Sequence, residues 1–245
     1  MDNNADEKIL SDIGKGYDLI SDKFSSTRAF MWRDLEFVRD MVKPGDRVLD
    51  FGCGNGRLAG FLGFGRNEPA FAKASAGKYV GIDISGKLIE IAKQKYSSEK
   101  TKFVKLAAAS KRSDRAANKE SGRTTWQLPF PDNHFDIIFS IAVFHHFPSK
   151  EYALQVAKEL NRVLKPRGKI VITVWNLWQE RFLRSGLKNE KGWKEMYIPF
   201  KSGDKEFKRY HHPFRMSELK ELFEQAGFNT LETKEGRNLL YIGEK

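Results

Sequence analysis

Apolar positions along the chain follow two periods, and the two alternate. Runs that are apolar at consecutive or alternate positions read as strands. They occur at 47–51 (RVLDF), 78–82 (KYVGI), 102–106 (KFVKL), 135–141 (FDIIFSI) and 169–175 (KIVITVW). Stretches of helical spacing lie between them. Ser85 is placed to cap a helix over 86–96, and Ser149 one over 150–164. In the second, Ala153, Val156, Ala157, Leu160, Val163 and Leu164 share one face, and the KPRG stretch at 165–168 stops it. Ser217 is placed to cap a helix over 218–226, with Leu219, Leu222, Phe223 and Ala226 on its apolar face. Gly227 stands where a helix C-terminal glycine belongs. Two short strands, near 228–233 and 238–243, close the pattern. Strands alternating with helices predict an α/β fold, a mostly parallel sheet with helices on both faces.

Some segments stand outside this alternation. Residues 66–77 and 107–125 are small, polar and basic, and read as surface insertions in connections. Residues 1–46 read as a helical N-terminal extension, 47–175 as the core and 176–214 as an addition on the substrate side. Residues 215–245 then form the closing helix and strands of a single domain of 245 residues. The longest apolar run, 137–144, contains a serine and is far short of the ~20 residues of a membrane span. The first residues, MDNNADEK, are acidic and polar, so no signal peptide is expected. The single cysteine excludes an intrachain disulfide and makes a reducing cytoplasm the expected location.

Charge adds a partner class. Lys and Arg number 43 against 32 Asp and Glu, a net charge of +11. The surplus is uneven: 181–220 holds eleven basic and five acidic residues, 105–123 six and two, whereas 1–46 holds seven and ten. Such concentration points to a polyanion, and a solvated basic face is the plainer alternative.

The strongest local motif is VLDFGCGNG at 48–56, a strand ending in a glycine turn that opens a helix. Such a turn lets backbone approach a ligand and presents free N–H groups. Asp83 ends the next strand in GIDIS, where a carboxylate accepts both hydroxyls of a ribose, or else caps the following helix. Asp50 precedes the turn and is a candidate for holding a ligand's ammonium group.

VLDFGCGNG, GIDIS, LPFPDNHFDIIFS and LNRVLKPRGKIVIT, in that order over about 45–175, resemble the class I S-adenosylmethionine-dependent methyltransferases. The resemblance implies a Rossmann-like seven-stranded sheet of order 3-2-1-4-5-7-6 with strand 7 antiparallel. It implies that S-adenosylmethionine is the cofactor, with Gly52 and Gly54 beside its methionine part and Asp83 on its ribose. Asp50, Gly56, Ile84, Ser140 and Ile141 complete the expected cofactor set, with Thr125 and Trp126 on the adenine side. Two departures stand out. The first insertion lengthens the gap from Asp50 to Asp83, and Thr124 occupies a position that is often acidic.

A narrower resemblance rests on YDLI at 17–20, FSSTR at 24–28, Trp32, SIAVFHH at 140–146, Val174-Trp175 and RYHHPF at 209–214. These blocks are similar to those of the tRNA methyltransferases that esterify 5-carboxymethyluridine at the wobble position. RYHHPF departs from the usual aromatic-rich form, and the insertions are absent from the usual pattern. The resemblance implies tRNA as substrate, with a small activating protein subunit as a second partner and no membrane.

The chemistry can be set out independently. A carboxylate is ionised at neutral pH, so its methylation needs no general base. The protein must align one oxygen with the methyl group. Arg and His are suited to hold the carboxylate, and the candidates are Arg28, His145, His146, Arg209, Tyr210 and His211. Four of the five histidines lie in adjacent pairs. Adjacent side chains on extended chain point apart, and no Cys or carboxylate completes a zinc set, so no metal is expected. Trp175 and Trp178 could stack a base or pack the added segment. Two other functions stay open: a methyltransferase for a small metabolite, and a non-catalytic RNA-binding or activating subunit.

Overall fold

The computed structural model describes residues 3–28, 30–65, 77–106, 127–183, 188–190, 193–203 and 205–245. Most of both basic insertions, with Thr124, Thr125 and Trp126, lies outside them. The chain opens with α1 (Asn3–Leu19), α2 (Ser21–Thr27), a short 3-10 turn and α3 (Val38–Met41). It continues through β1 (Arg47–Phe51), α4 (Arg57–Phe61), β2 (Lys78–Asp83), α5 (Gly86–Tyr96), β3 (Thr101–Lys105) and β4 (Phe135–Ile141). Then follow α6 (Lys150–Val163), β5 (Leu164–Trp175), α7 (Glu180–Leu183), β6 (Lys188–Glu190), β7 (Trp193–Ser202) and β8 (Lys205–His211). The described chain closes with α8 (Met216–Gln225), β9 (Asn229–Glu235) and β10 (Asn238–Glu244).

The main sheet runs β3-β2-β1-β4-β5-β10-β9. The first five strands are parallel, and β10 is antiparallel to both neighbours. This is the expected 3-2-1-4-5-7-6 order. Strand alternation feeds two apolar layers. Leu49, Ile138 and Ile172 face one layer with α6 and α8. Val48, Ile137, Phe139 and Val171 face the other with α4 and α5. Because both faces are covered, the central strands carry the near-continuous apolar runs seen in the sequence.

Two expected boundaries move. β5 starts at Leu164, not near 169, because Leu164 pairs Phe135 before a register shift brings Lys169 opposite Ile137. Arg167 takes a positive φ of 62° in that bulge. The cap of α8 is Arg215, not Ser217. The Glu218 carboxylate reaches back to the Arg215 N–H (3.4 Å) and also binds His212 Nε2 (2.9 Å), so the helix starts two residues earlier.

The N-terminal segment is pinned across the carboxyl edge of the sheet. Asp18 of α1 accepts from Ser85 Oγ (2.6 Å) and the Lys87 N–H (3.0 Å) at the start of α5. Asp6, near its other end, accepts from Ser149 Oγ (2.8 Å) at the start of α6. Carboxylates are favoured at helix N-termini, and these two hold α1 as a roof over the crevice between β1 and β4. The strands β6, β7 and β8 form a separate antiparallel sheet. Lys23 Nζ ties it to α2 by donating to the Lys201 carbonyl (2.8 Å).

The loop entering β4 is fastened from beneath. Arg162 binds buried Glu159 (2.6 Å), Asp132 (2.5 Å) and the Phe130 carbonyl (2.9 Å). Glu159 also accepts the Leu128 N–H (2.7 Å). Replacing Arg162 with alanine leaves that carboxylate buried without its cation. Thermal denaturation of the variant is expected to show a melting temperature lower by about 5 °C, on the order of 2 kcal/mol.

Candidate active site

The glycine turn after β1 is built by sterics. Gly52 has φ +78°, and a Cβ there would lie 2.2 Å from Val143 Cγ2, so only glycine fits. The Gly52 and Cys53 N–H groups donate to the Ile82 carbonyl at 2.8 and 3.0 Å. Gly54 has φ +54°, and a Cβ there would meet only Phe24, at 3.6 Å, so this backbone stays open to the crevice. Asp83 Oδ2 accepts the Gly54 N–H and Oδ1 the Ser85 N–H, both at 2.8 Å. Two fixed hydrogen bonds orient the carboxylate and leave its other lone pairs available. Burial pushes Asp83 above the usual carboxylate range, and the two N–H bonds oppose that push.

These groups line a cleft of about 1030 Å³, its open mouth included. One end has apolar walls: Ile84, Leu88 and Leu106. The other is closed by Tyr17, His145, His146, Trp175 and Arg209. Asp83 and Arg28 line the same cleft.

At the second end, hydrogen bonds fix the histidine tautomers. The Trp175 N–H reaches His145 Nδ1 (3.2 Å), so the neutral ring carries its proton on Nε2. His146 Nδ1 donates to the Tyr210 carbonyl (2.8 Å), and its Nε2 accepts from the Tyr17 hydroxyl (2.8 Å). His211 Nδ1 donates to the Arg209 carbonyl (2.9 Å). Burial holds all three rings neutral. His146 is pushed down to about 3, and His145 and His211 well below their usual range. Arg209 is 4% exposed, its guanidinium 5.1 Å from the centroids of both Trp175 and Phe200. His145 Nε2, His211 Nε2 and Arg209 Nε have no hydrogen-bond partner. Two of those atoms, on the cleft-lining His145 and Arg209, are buried N–H donors, an arrangement that suits an anion.

The nitrogens of His145, His146 and His211 lie within 4.8 Å of one another, close enough to suggest a metal. Their hydrogen bonds argue otherwise. His146 Nε2 is taken by Tyr17, and the open nitrogen of His145 is protonated. Only His211 Nε2 retains a lone pair, and the Arg209 charge stands nearby.

Of the residues expected from sequence, Arg28, Gly52, Gly54, Asp83, Ile84, Ile141, His145, His146 and Arg209 line the cleft. Others stand behind its wall. Asp50 is buried against the Tyr79 hydroxyl, which donates to it. Gly56 serves packing, since a Cβ there would lie 2.9 Å from Ala92. Ser140 is fully buried with its hydroxyl unpartnered. Tyr210 donates to the Pro148 carbonyl (3.2 Å), and His211 stacks between His145 and Trp175. Strand alternation turns Tyr210 away from the face of β8 that carries Arg209, whereas His211, on that same face, is covered by His145 and Trp175. Sequence reading gave no role to Tyr17, Arg57 or Trp32, all of which line the cleft. Leu10, Ile13 and Tyr17 recur at helical spacing, a signal from which the inner face of α1 could have been found.

The placement of Asp50 carries a pH signature. Burial raises it from its usual 3.8 to about 7, against the Tyr79 hydrogen bond. Between those values the folded chain binds a proton the unfolded chain has released, so stability falls as pH rises from about 4 to about 7. The shift corresponds to at most about 4 kcal/mol. In Asp50→Asn, urea midpoints at pH 5 and pH 8 are expected to differ less than in the parent. A variant that keeps the full pH dependence would contradict this placement.

A parallel sheet with one antiparallel strand, a glycine turn and an acidic residue ending β2 define the class of Rossmann-like methyltransferases. Solved structures agree on the fold. S-adenosylmethionine-dependent methyltransferases from Methanosarcina mazei superpose with a TM-score of 0.63 at 20% identity, covering 88% of this chain and 98% of that one. The putative methyltransferase in complex with the Haloferax volcanii Trm112 methyltransferase activator gives 0.62 at 17%, covering 95% and 96%. A methyltransferase domain model matches residues 24–233. A Schizosaccharomyces pombe tRNA (carboxymethyluridine(34)-5-O)-methyltransferase is 30% identical over 237 residues, 88% of each chain. An Arabidopsis thaliana protein of the same name is 33% identical over 67% of this chain, which spans 32% of that longer protein. The chain belongs to the methyltransferase domain family, in the group that includes these tRNA methyltransferases.

Proposed function

We propose that the protein transfers the methyl group of S-adenosylmethionine to the carboxylate of 5-carboxymethyluridine at the wobble position of tRNA. The observation that carries this reading is the anion-seeking end of the cleft: Arg209 and His145, buried, with unpartnered N–H groups and, among the described residues, no carboxylate hydrogen-bonded to either. The names of the two relatives supply the substrate.

The residues fit the cofactor. Asp83 is oriented to accept the ribose hydroxyls, Ile84, Leu88 and Leu106 offer an apolar slot for the adenine, and the open Gly52–Gly54 backbone suits the methionine end. S-adenosylmethionine supplies an electrophilic methyl group carried on sulfur. The protein's own part is positioning. Arg209 and His145 Nε2–H grip the substrate carboxylate. The carboxylate is already ionised, and the neutral histidines take no proton from it. Tyr17, held by His146 and within reach of Arg209, keeps the guanidinium in place. Phe51, Val143, Phe147 and Tyr152 line the cleft and keep water from the reacting pair.

The Trm112 activator bound to the Haloferax volcanii neighbour supports a small activating subunit for this chain as well. No helix among the described residues is long and apolar enough to cross a membrane. The lone, buried Cys53 fits a reducing cytoplasm.

The test is incubation with methyl-labelled S-adenosylmethionine and tRNA containing carboxymethyluridine, with and without an activating subunit. Label that mild alkali releases supports the ester. Absence of label from such tRNA in both arms overturns the reading.

A further inference from the structure

We propose that Arg28, Arg57, Trp32 and Phe30 form a nucleotide subsite at the rim of the cleft, where a backbone phosphate of the RNA lies between the two guanidiniums and an unpaired base stacks on Phe30. The inference rests on the tRNA reading above and extends it to a nucleotide flanking the modified one.

Two independent observations support it. The first is an uncompensated pair of like charges. Arg28 lies 5.5 Å from the Phe24 ring centroid and Arg57 4.7 Å from that of Trp32, and both line the cleft. Their polar contacts are to neutral oxygens: Arg57 Nη1 donates to the Phe30 carbonyl (3.2 Å), Arg28 Nη1 to the Thr27 carbonyl (3.2 Å) and hydroxyl (3.4 Å). Each is pushed below its usual range, first by burial and next by another arginine: Arg57 by Arg28, Arg28 by Arg209. Asp50, whose field reaches Arg57, is committed to the Tyr79 hydroxyl. The three arginines therefore form a row of cations along the cleft. Arg209 is matched to the substrate carboxylate, and among the described residues the outer two have no such partner. An anion between them would relieve their repulsion.

The second observation is Phe30, which is 86% exposed, whereas the next most exposed large apolar side chain among the described residues, Leu231, is 51% exposed. Arg57 anchors the Phe30 backbone through its carbonyl, so the residue that carries this exposed ring is tied to one of the two guanidiniums. An exposed ring next to paired guanidiniums suits single-stranded nucleic acid, which stacks its bases on aromatics and places its phosphates on arginine. The rim thereby offers what the deep wall lacks, contacts that read the chain and not the modified base.

The experiment uses the full chain and a synthetic anticodon stem-loop carrying carboxymethyluridine. RNA affinity is read by fluorescence anisotropy over a salt series, and S-adenosylhomocysteine affinity by calorimetry. Phe30→Ala and Arg57→Gln are each expected to weaken RNA binding about tenfold. Arg57→Gln should also reduce the slope of log affinity against log salt by about 1. Phe30→Tyr should retain RNA affinity, and Phe30→Ala should bind S-adenosylhomocysteine as the parent does. Phe30 is so exposed that its replacement leaves the fold intact. If the parent binds the RNA and both variants bind it equally well, the subsite is overturned. If Arg57→Gln loses S-adenosylhomocysteine affinity and keeps RNA affinity, the anion is the cofactor's carboxylate and the proposal is again overturned. If the parent binds S-adenosylhomocysteine but not the RNA, the tRNA reading itself fails.

Discussion

Replacing Arg209 with methionine is expected to lower kcat/KM for carboxymethyluridine-containing RNA by about a thousandfold while leaving cofactor affinity within twofold. The guanidinium is buried between Trp175 and Phe200, its Nε is unpartnered, and the groups around it are neutral histidines and the Tyr17 hydroxyl. A buried cation without a counter-charge is destabilising. Under the proposed function, the carboxylate of the substrate would be the partner that relieves it. Truncating one side of a buried, hydrogen-bonded charge pair costs 2–5 kcal/mol, and each 1.36 kcal/mol is tenfold in rate. Methionine keeps the packing against the two rings and removes the charge. The variant is therefore also expected to melt at a higher temperature than the parent. Steady-state methyl transfer, calorimetry with S-adenosylhomocysteine and a thermal melt measure the three quantities. A loss of activity matched by an equal loss of cofactor affinity would move Arg209 from the substrate to the cofactor.

Asp83→Asn is expected to weaken S-adenosylmethionine binding by about a hundredfold. The parent carboxylate is held by the Gly54 and Ser85 N–H groups and presents its remaining lone pairs to the cleft. A ribose would donate two hydroxyls to it, each bond to an ionised acceptor contributing about 1.5–3 kcal/mol. Asparagine offers one acceptor and turns an N–H₂ toward a donor. Burial raises Asp83 above the usual carboxylate range, so parent binding should fall as pH drops through that raised value, and the variant should lack this dependence. Titration calorimetry at pH 5 and pH 8 reads both effects. Equal affinity in parent and variant at pH 8 would remove Asp83 from the cofactor site.

The basic surplus that first suggested a polyanion divides differently in space than along the chain. The 107–126 stretch, which holds most of the insertion surplus, lies outside the described residues. Within β8, Lys208 is exposed and Arg209 buried, so neighbours in sequence serve different surfaces. Neutralising them together, as their adjacency invites, would mix a phosphate-binding test with loss of the proposed carboxylate site.

The sequence by itself determined the sheet and the glycine turn at its carboxyl edge. Apolar periodicity marked the core strands to within a few residues, because a strand buried on both faces must be apolar at nearly every position, as in β4 (Phe135–Ile141) and β5. Gly52 and Asp83 were legible from local pattern, a glycine in the turn after β1 where φ is positive and a carboxylate at the end of β2; the closeness of Val143 to Gly52 was not. Tertiary structure decided the rest. That Asp50 serves Tyr79 depends on a strand 29 residues away, and that His146 serves Tyr17 on a helix 129 residues away. The tautomers of His145, His146 and His211 follow from backbone groups supplied by β5 and β8. Hydrogen bonding, ring stacking and charge repulsion act over a few ångströms of space and are indifferent to separation along the chain. Which of the candidate residues share one cleft, and that Tyr17 joins them, was decided only when α1, β4, β5 and β8 met at one end of the sheet.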